Sequence, residues 1–453
     1  STKTIEWDNV IIPMKERGLI SNPDVAEIIF HSAVQSPLIT RAEARHAKIL
    51  DADYSAVDID EYVESLINLS LEIRQKLKET LKKTPKAFKG GLGTLKIKPI
   101  KIKLKPGAVP YHAKPFPIPK AYEETTRKEC RRFCEIGVWY YNPDSEWAAP
   151  TFIQPKKTGD VRILTDFRQL NKYIIRSPFP LPKIQDMLQK LEGFSYATAL
   201  DLSMGYYHIP LSKQAQRLCT TILPWGKYSY AKLPMGLSTS PDIFQSIMNE
   251  LLGDLPYVLV YIDDILILNK KHESEDDHIE KIAIVLGRLE RCGFAVNLRK
   301  SFFMQQELEY LGYLLTPNGI KPQPKKVEAI SRILAPKNRR QLRRFLGMIN
   351  YYRDMWRRRS HILAPLTDMV SKSVPWTWTD IHQQAFEQAK QMVMREAMLA
   401  YPDFSDVFHV FTDASDYQLG GVIMQKEKPL AFYTRKLNKA QKKYPTGEQE
   451  LLA

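Results

Sequence analysis

Val258-Leu259-Val260-Tyr261-Ile262-Asp263-Asp264-Ile265-Leu266-Ile267-Leu268 sets two adjacent carboxylates inside a run that is otherwise β-branched, aromatic and apolar, the pattern of a buried strand pair. Burying an unpaired carboxylate costs on the order of several kcal/mol, so the two acids must either sit exposed at a turn or be matched by cations. The run contains no Lys or Arg. Neighbouring side chains of a regular strand point to opposite faces, so Asp263 and Asp264 can serve one site only at a tight hairpin bend. A divalent metal is the cation such a bend would take. The competing reading, a hydrophobic hairpin with an acidic turn, is the commoner meaning of an Asp-Asp pair seen alone.

Working outward, Tyr196-Ala197-Thr198-Ala199-Leu200-Asp201-Leu202 reads as a strand that delivers a third carboxylate at its end. Tyr-Ile-Asp-Asp between apolar strands resembles the palm motif of reverse transcriptases, and its surroundings resemble the polymerase of gypsy-type long-terminal-repeat retrotransposons. The resemblance covers roughly residues 95–453 and takes several separate motifs in the family's order. It implies an α+β right-hand polymerase with fingers, palm and thumb, an antiparallel palm sheet, and a truncated ribonuclease H-like α/β domain behind it. It also implies catalysis and metal binding by Asp201 and Asp263, with Asp264 secondary. Three acids together would hold two Mg2+ ions (Mn2+ being the alternative), one activating a primer 3′-hydroxyl and one neutralising the leaving pyrophosphate.

Composition agrees with that assignment. A chain of 453 residues, 44% hydrophobic, can bury large cores and should divide into about two to four domains. A net charge of +15 and a pI near 9.3 call for a polyanionic partner, either nucleic acid or an anionic membrane. No apolar run reaches the roughly 18 residues of a membrane span, and no signal-peptide pattern opens the chain, which favours nucleic acid. Cys130, Cys134, Cys219 and Cys292 lack a zinc-ligand spacing and read as reduced thiols of a cytosolic-type compartment. Ser1 is not an initiator Met, from which we expect a longer polyprotein cut at this point.

The remaining motifs follow in order. Residues 1–94 are expected to be a connector between protease and polymerase, with a short strand at Ile11-Ile12-Pro13-Met14 and helical spacing over 41–50 and 59–81. Residues 95–325 are expected to form fingers and palm, 326–375 the thumb, and 376–453 a connector and the start of the ribonuclease H-like domain. Lys96-Ile97-Lys98-Pro99-Ile100-Lys101-Ile102-Lys103-Leu104 alternates like a half-exposed strand whose Lys face either meets phosphates or guards an edge. Residues 122–136 read as a helix closed by Gly137. Lys156-Lys157-Thr158-Gly159-Asp160 is a turn between strands. The resemblance makes Lys157 (or Lys156) and Arg162 clamps for the triphosphate, Arg162 facing away from its apolar neighbours. It also makes Tyr206 a steric gate, a rigid ring against C2′ of the incoming sugar, with core packing as the rival role.

Leu233-Pro234-Met235-Gly236-Leu237 precedes a helix expected to start with Ser240 as N-cap. Gly236 would let backbone approach the nucleotide, while Met235 puts an apolar contact where retroviral relatives usually have Gln. Residues 274–292 form an amphipathic helix ending at Gly293. Tyr310, Leu311 and Gly312 match the element that grips the primer terminus. Arg340, Arg343 and Arg344 lie opposite the apolar positions of a thumb-like helix and would track template-primer phosphates, as would Arg357-Arg358-Arg359. Residues 407–415 alternate into a strand ending at Asp413. With Glu450 it would supply ribonuclease H metal ligands, two further aspartates being expected downstream of Ala453, so the domain as given should be incomplete and unable to hold two metals.

The expected activity is RNA-directed DNA synthesis from deoxynucleoside triphosphates on RNA or DNA template-primer, in a cytoplasmic retroelement particle or the nucleus. A homodimer or other segments of the same polyprotein are the candidate protein partners. Two rivals remain: a co-opted fragment that only binds nucleic acid or assembles with a partner, and an RNA-templated RNA polymerase.

Overall fold

The strand that carries Asp264 explains why its neighbours are apolar on both sides. Ile265 and Ile267 pack into one core with the helix Glu275–Cys292, and Leu266 points into a second core with Leu308, Phe345 and Trp356. Period-two alternation is therefore present, but both faces are covered, so the run reads as continuously hydrophobic. This computed structural model describes residues 4–7, 10–13 and 58–453, except 156–159, 203, 358, 396–397, 416–417, 439 and 453.

Two units separate in the chain, residues 1–48 and 49–453. In the first, Thr4–Trp7 and Val10–Pro13 form an antiparallel hairpin, which includes the strand expected near Ile11 and Ile12. The helical spacing over 41–50 lies outside the described residues.

The second unit is built on a four-stranded antiparallel palm sheet, ordered Phe302–Gln305, Ala197–Asp201, Asp264–Leu268, Val258–Tyr261. A five-stranded sheet forms the fingers, ordered Trp139–Tyr141, Gly226–Tyr230, Thr220–Leu223, Ala149–Pro155, Val161–Thr165, with one parallel pairing, between Ala149–Pro155 and Thr220–Leu223. Beyond the palm come the three-stranded sheet Leu308–Tyr310, Tyr313–Thr316, Gly319–Pro322, the helices Arg339–Ile349, Arg359–Asp368 and Asp380–Met394, and a final antiparallel sheet of His409–Ala414, Gln418–Gln425 and Lys428–Lys436.

Three expectations change. Residues 58–94 are not a free connector: the helices Ile59–Glu64 and Leu71–Lys82 put Val63, Ile73, Leu77 and Leu81 into the palm core, and the Tyr62 hydroxyl donates to the Ser301 carbonyl at 2.9 Å. Their apolar stripe was legible; the surface it covers was not. The Lys-rich stretch 96–104 makes only isolated bridges, Ile100 to Leu211 and Leu104 to Ile174, because Pro99 offers no N–H to a ladder, although its Lys side chains are exposed as expected. Thr239, not Ser240, is the N-cap of the helix Ser240–Leu252; the Ser240 hydroxyl instead donates to the Pro234 carbonyl at 2.7 Å.

Candidate active site

Asp264 pairs with Tyr261 on one side and with Asp201 on the other. Ile262 and Asp263 thus form a two-residue hairpin turn. Residues directly opposed in an antiparallel ladder share a face with Cα atoms roughly 4.5–5.5 Å apart, so Asp201 and Asp264 present carboxylates side by side. Asp263, in the turn, is 6% exposed. The family resemblance ranked Asp264 below its neighbour; the register sets Asp264 against Asp201.

The turn is strained and held. Ile262 has φ +56°, a left-handed conformation that a β-branched residue rarely adopts and that costs about 1–3 kcal/mol. Gln245, 4% exposed, reaches over from the helix Ser240–Leu252, accepting from the Ile262 N–H at 2.7 Å and donating to the Val260 carbonyl at 3.1 Å. Asp201 is fixed through its backbone as well: its N–H donates to Ser301 Oγ at 3.1 Å and its carbonyl accepts from the Asn297 N–H at 2.8 Å. Beneath Asp263 lies Gly205, where an added Cβ would stand 3.1 Å from the Phe244 ring and 3.6 Å from the Asp263 Cβ. None of these supports was read from the sequence.

Tyr206 follows Gly205 on the 3-10 turn Gly205–His208, 8% exposed, with its ring 4.9 Å from that of Phe244. The ring is packed, as the core role requires, and its residue adjoins Gly205, which lies next to Asp263. Met235 is buried, whereas Gly236 is exposed at φ +88°, the conformation that calls for glycine there. Asn171 pins that loop, donating to the Gly236 carbonyl and accepting from the Ser238 N–H, both at 2.9 Å.

Arg162 departs from expectation. It is 8% exposed, paired in register with Gln154, and its Nη1 donates to Gln154 Oε1 at 3.0 Å. The strand Val161–Thr165 has Val161, Arg162 and Ile163 all buried, so facing away from apolar neighbours did not mean facing solvent. Lys156 and Lys157 lie outside the described residues.

Tyr310, Leu311 and Gly312 form the turn of a tight hairpin, Leu311 and Gly312 both at positive φ. The Tyr310 hydroxyl donates to the Asp264 carbonyl at 3.2 Å, joining this turn to the acidic hairpin. From the other side the hydroxyls of Tyr351 and Tyr352 donate to the carbonyls of Leu311 and Gly312, the latter at 2.8 Å. On the helix Arg339–Ile349, Leu342, Phe345 and Ile349 are buried while Arg340, Arg343 and Arg344 are exposed. Arg343 is partly committed, donating to the Val370 carbonyl at 2.9 Å.

A family described as "Reverse transcriptase (RNA-dependent DNA polymerase)" matches residues 154–315, and "RNase H-like domain found in reverse transcriptase" matches residues 378–453. The chain carries a reverse transcriptase domain. Among curated proteins it is 33% identical over 345 residues to the transposon Tf2-3 polyprotein of Schizosaccharomyces pombe, covering 75% of this chain and 26% of that one. It is also 33% identical over 368 residues to the retrovirus-related Pol polyprotein from transposon opus of Drosophila melanogaster, covering 76% and 36%. The chain therefore spans about a quarter to a third of the length of these relatives, which are transposon polyproteins. Among solved structures, foamy viral protease-reverse transcriptase in complex with double-stranded DNA superposes with TM-score 0.81 at 22% identity, over 88% of this chain and 71% of that one. The same enzyme with an RNA/DNA hybrid gives 0.78, over 88% and 55%. At that identity the likeness is one of fold.

Reverse transcriptases imply a divalent metal, and the donor set here suits one. Asp201, Asp263 and Asp264 offer hard oxygen donors, the chemistry of Mg2+ or Mn2+. Among the described residues, however, no group of three acidic, His or Cys side chains is gathered tightly enough to hold an ion alone. The expected ready-made cluster is instead an opposed pair plus a turn residue. This fits magnesium, which usually takes one or two carboxylates and completes its shell with water and substrate phosphates.

In the RNase H-like region, Asp413 is exposed opposite Gly420, with Glu450 exposed on the helix Thr446–Leu452 that packs on the strand His409–Ala414. The two acids expected as its metal ligands are thus placed on neighbouring elements.

Proposed function

We propose that this chain is the polymerase segment of a retrotransposon Pol polyprotein, adding deoxynucleotides to a primer 3′-hydroxyl on an RNA or DNA template. The observation that carries this reading is the register that sets Asp201 against Asp264 at the mouth of a strained, Gln245-clamped hairpin. Magnesium held there by the carboxylates would supply a lowered pKa for the primer hydroxyl and charge neutralisation for the pyrophosphate. The chain's own residues do the positioning. Gln245, Ser301 and Asn297 fix the carboxylate-bearing backbone, Tyr206 excludes a 2′-hydroxyl, and Gly236 gives the nucleotide or template close backbone approach. Tyr310 ties the primer-gripping turn to Asp264, and Arg340 and Arg344 offer cations to the phosphates. Because binding energy here goes into alignment rather than covalent chemistry, sub-ångström displacement of these supports should lower turnover more than affinity. The test is extension of oligo(dT) on poly(rA) with and without Mg2+. Dependence on metal and on deoxynucleotides supports the reading; binding without extension would make the chain a nucleic-acid-binding fragment.

A further inference from the structure

Behind Tyr206 the aromatic rings close into a loop. Its ring lies 4.9 Å from Phe244, Phe244 lies 6.0 Å from Phe294, and Phe294 lies 5.3 Å from His208, which stands on the same 3-10 turn as Tyr206. His208 is fully buried. The Ala295 N–H donates to its Nε2 at 3.0 Å, which leaves that nitrogen without a proton. The ring proton is therefore on Nδ1, and it is donated to the Gly205 carbonyl at 3.2 Å. Both ends of the imidazole are used, one on the gate's own turn and one on the segment that carries Phe294. The ring cannot retreat either: a Cβ on Gly93 would stand 2.9 Å from its Cδ2, and its backbone carbonyl accepts from the Leu95 N–H at 2.9 Å.

We infer that His208 and Phe294 are positioning residues for sugar selection, setting through this closed loop of four rings how far the Tyr206 ring projects toward the incoming nucleotide. Neither touches the nucleotide. This role rests on Tyr206 being the sugar gate, as proposed above. Interiors are close-packed, so shortening a ring behind the gate lets the gate settle back and opens room at C2′.

The experiment compares kcat/KM for dTTP and UTP on poly(rA)/oligo(dT) in the wild type, Tyr206→Ala, Phe294→Leu, His208→Leu and His208→Gln, each checked for folding by circular dichroism. Tyr206→Ala should admit UTP. Phe294→Leu and His208→Leu should each lower discrimination roughly tenfold while kcat for dTTP stays within about threefold. His208→Gln, whose amide oxygen can still accept from Ala295, should fall between His208→Leu and wild type. If Tyr206→Ala admits UTP but the folded Phe294 and His208 variants discriminate like wild type, the inference is overturned and the gate stands. If Tyr206→Ala itself excludes UTP, the gate reading fails and takes the inference with it. Should His208→Leu not fold, Phe294→Leu and His208→Gln decide by the same criteria.

Discussion

Replacing Tyr310 by Phe removes one hydroxyl and nothing else from the link between the primer-gripping turn and the acidic hairpin. Tyr310 is 3% exposed, and its hydroxyl donates to the backbone carbonyl of Asp264 at 3.2 Å. A neutral hydrogen bond of this kind contributes about 1 kcal/mol net. If it holds Asp264 in the geometry needed for nucleotidyl transfer, its loss should appear in the barrier, and about 1 kcal/mol there is about a fivefold fall in rate. The assay is single-nucleotide addition to a preformed primer-template complex by rapid quench, with primer-template Kd and melting temperature measured beside it. The expected result is a rate near one fifth of wild type, with KM for the nucleotide and Kd within about twofold. Tyr352→Phe, which removes a side-chain donor from the Gly312 carbonyl on the other side of the same turn and leaves it the Gln323 N–H, should not add independently, because both hydroxyls restrain one element. A Tyr310→Phe enzyme that melts lower but adds nucleotides at the wild-type rate would show that the bond only supports the fold, and the reasoning would be wrong.

Gln245→Leu removes both hydrogen bonds that hold the Ile262 turn and leaves its left-handed strain unsupported; turnover should drop by roughly tenfold or more with primer-template affinity retained, as extension and filter binding would show. Burial pushes the imidazoles of His208 and His278 down to about 4 and about 3, from an ordinary 6.5. The unfolded chain therefore binds more protons than the folded one below about pH 6.5, so their contribution to stability is complete above that pH and is lost as pH falls toward 4. Thermal melts from pH 7.5 to 5 should decline more steeply for wild type than for a His208→Gln, His278→Gln double variant, and equal slopes would contradict the assignment. Arg344→Ala should reduce the salt slope of template-primer binding by about one, and Arg343→Ala by less, since its guanidinium already serves the Val370 carbonyl.

The sequence disclosed what is local. The hairpin with its acids, the strand ending at Asp201, the helix stopped by Gly293 and the turn of Leu311 and Gly312 all follow from alternation, caps and turn residues within a few positions. The supports of the site are contacts between distant segments. Gln245 clamps a turn 17 positions away, Tyr310 bonds a residue 46 away, and His208 meets Ala295 across 87 positions. No periodicity encodes such pairs. Arg162 misled for a related reason: alternation places a side chain on a face but does not say whether another layer covers that face. Ile262 could have been suspected, since a two-residue hairpin turn between Tyr261 and Asp264 demands positive φ at a position the sequence fills with a β-branched residue.

Extension of oligo(dT) on poly(rA) by Asp263→Asn beside wild type asks whether the acidic hairpin performs the chemistry. Wild type should show metal-dependent synthesis, the variant should lose it by at least several hundredfold, and template-primer affinity should be nearly unchanged, because the side chain changes charge without changing shape. An Asp263→Asn enzyme that extends primers at a rate near wild type would take the turn carboxylate out of the chemistry and contradict the acidic hairpin as the polymerase site.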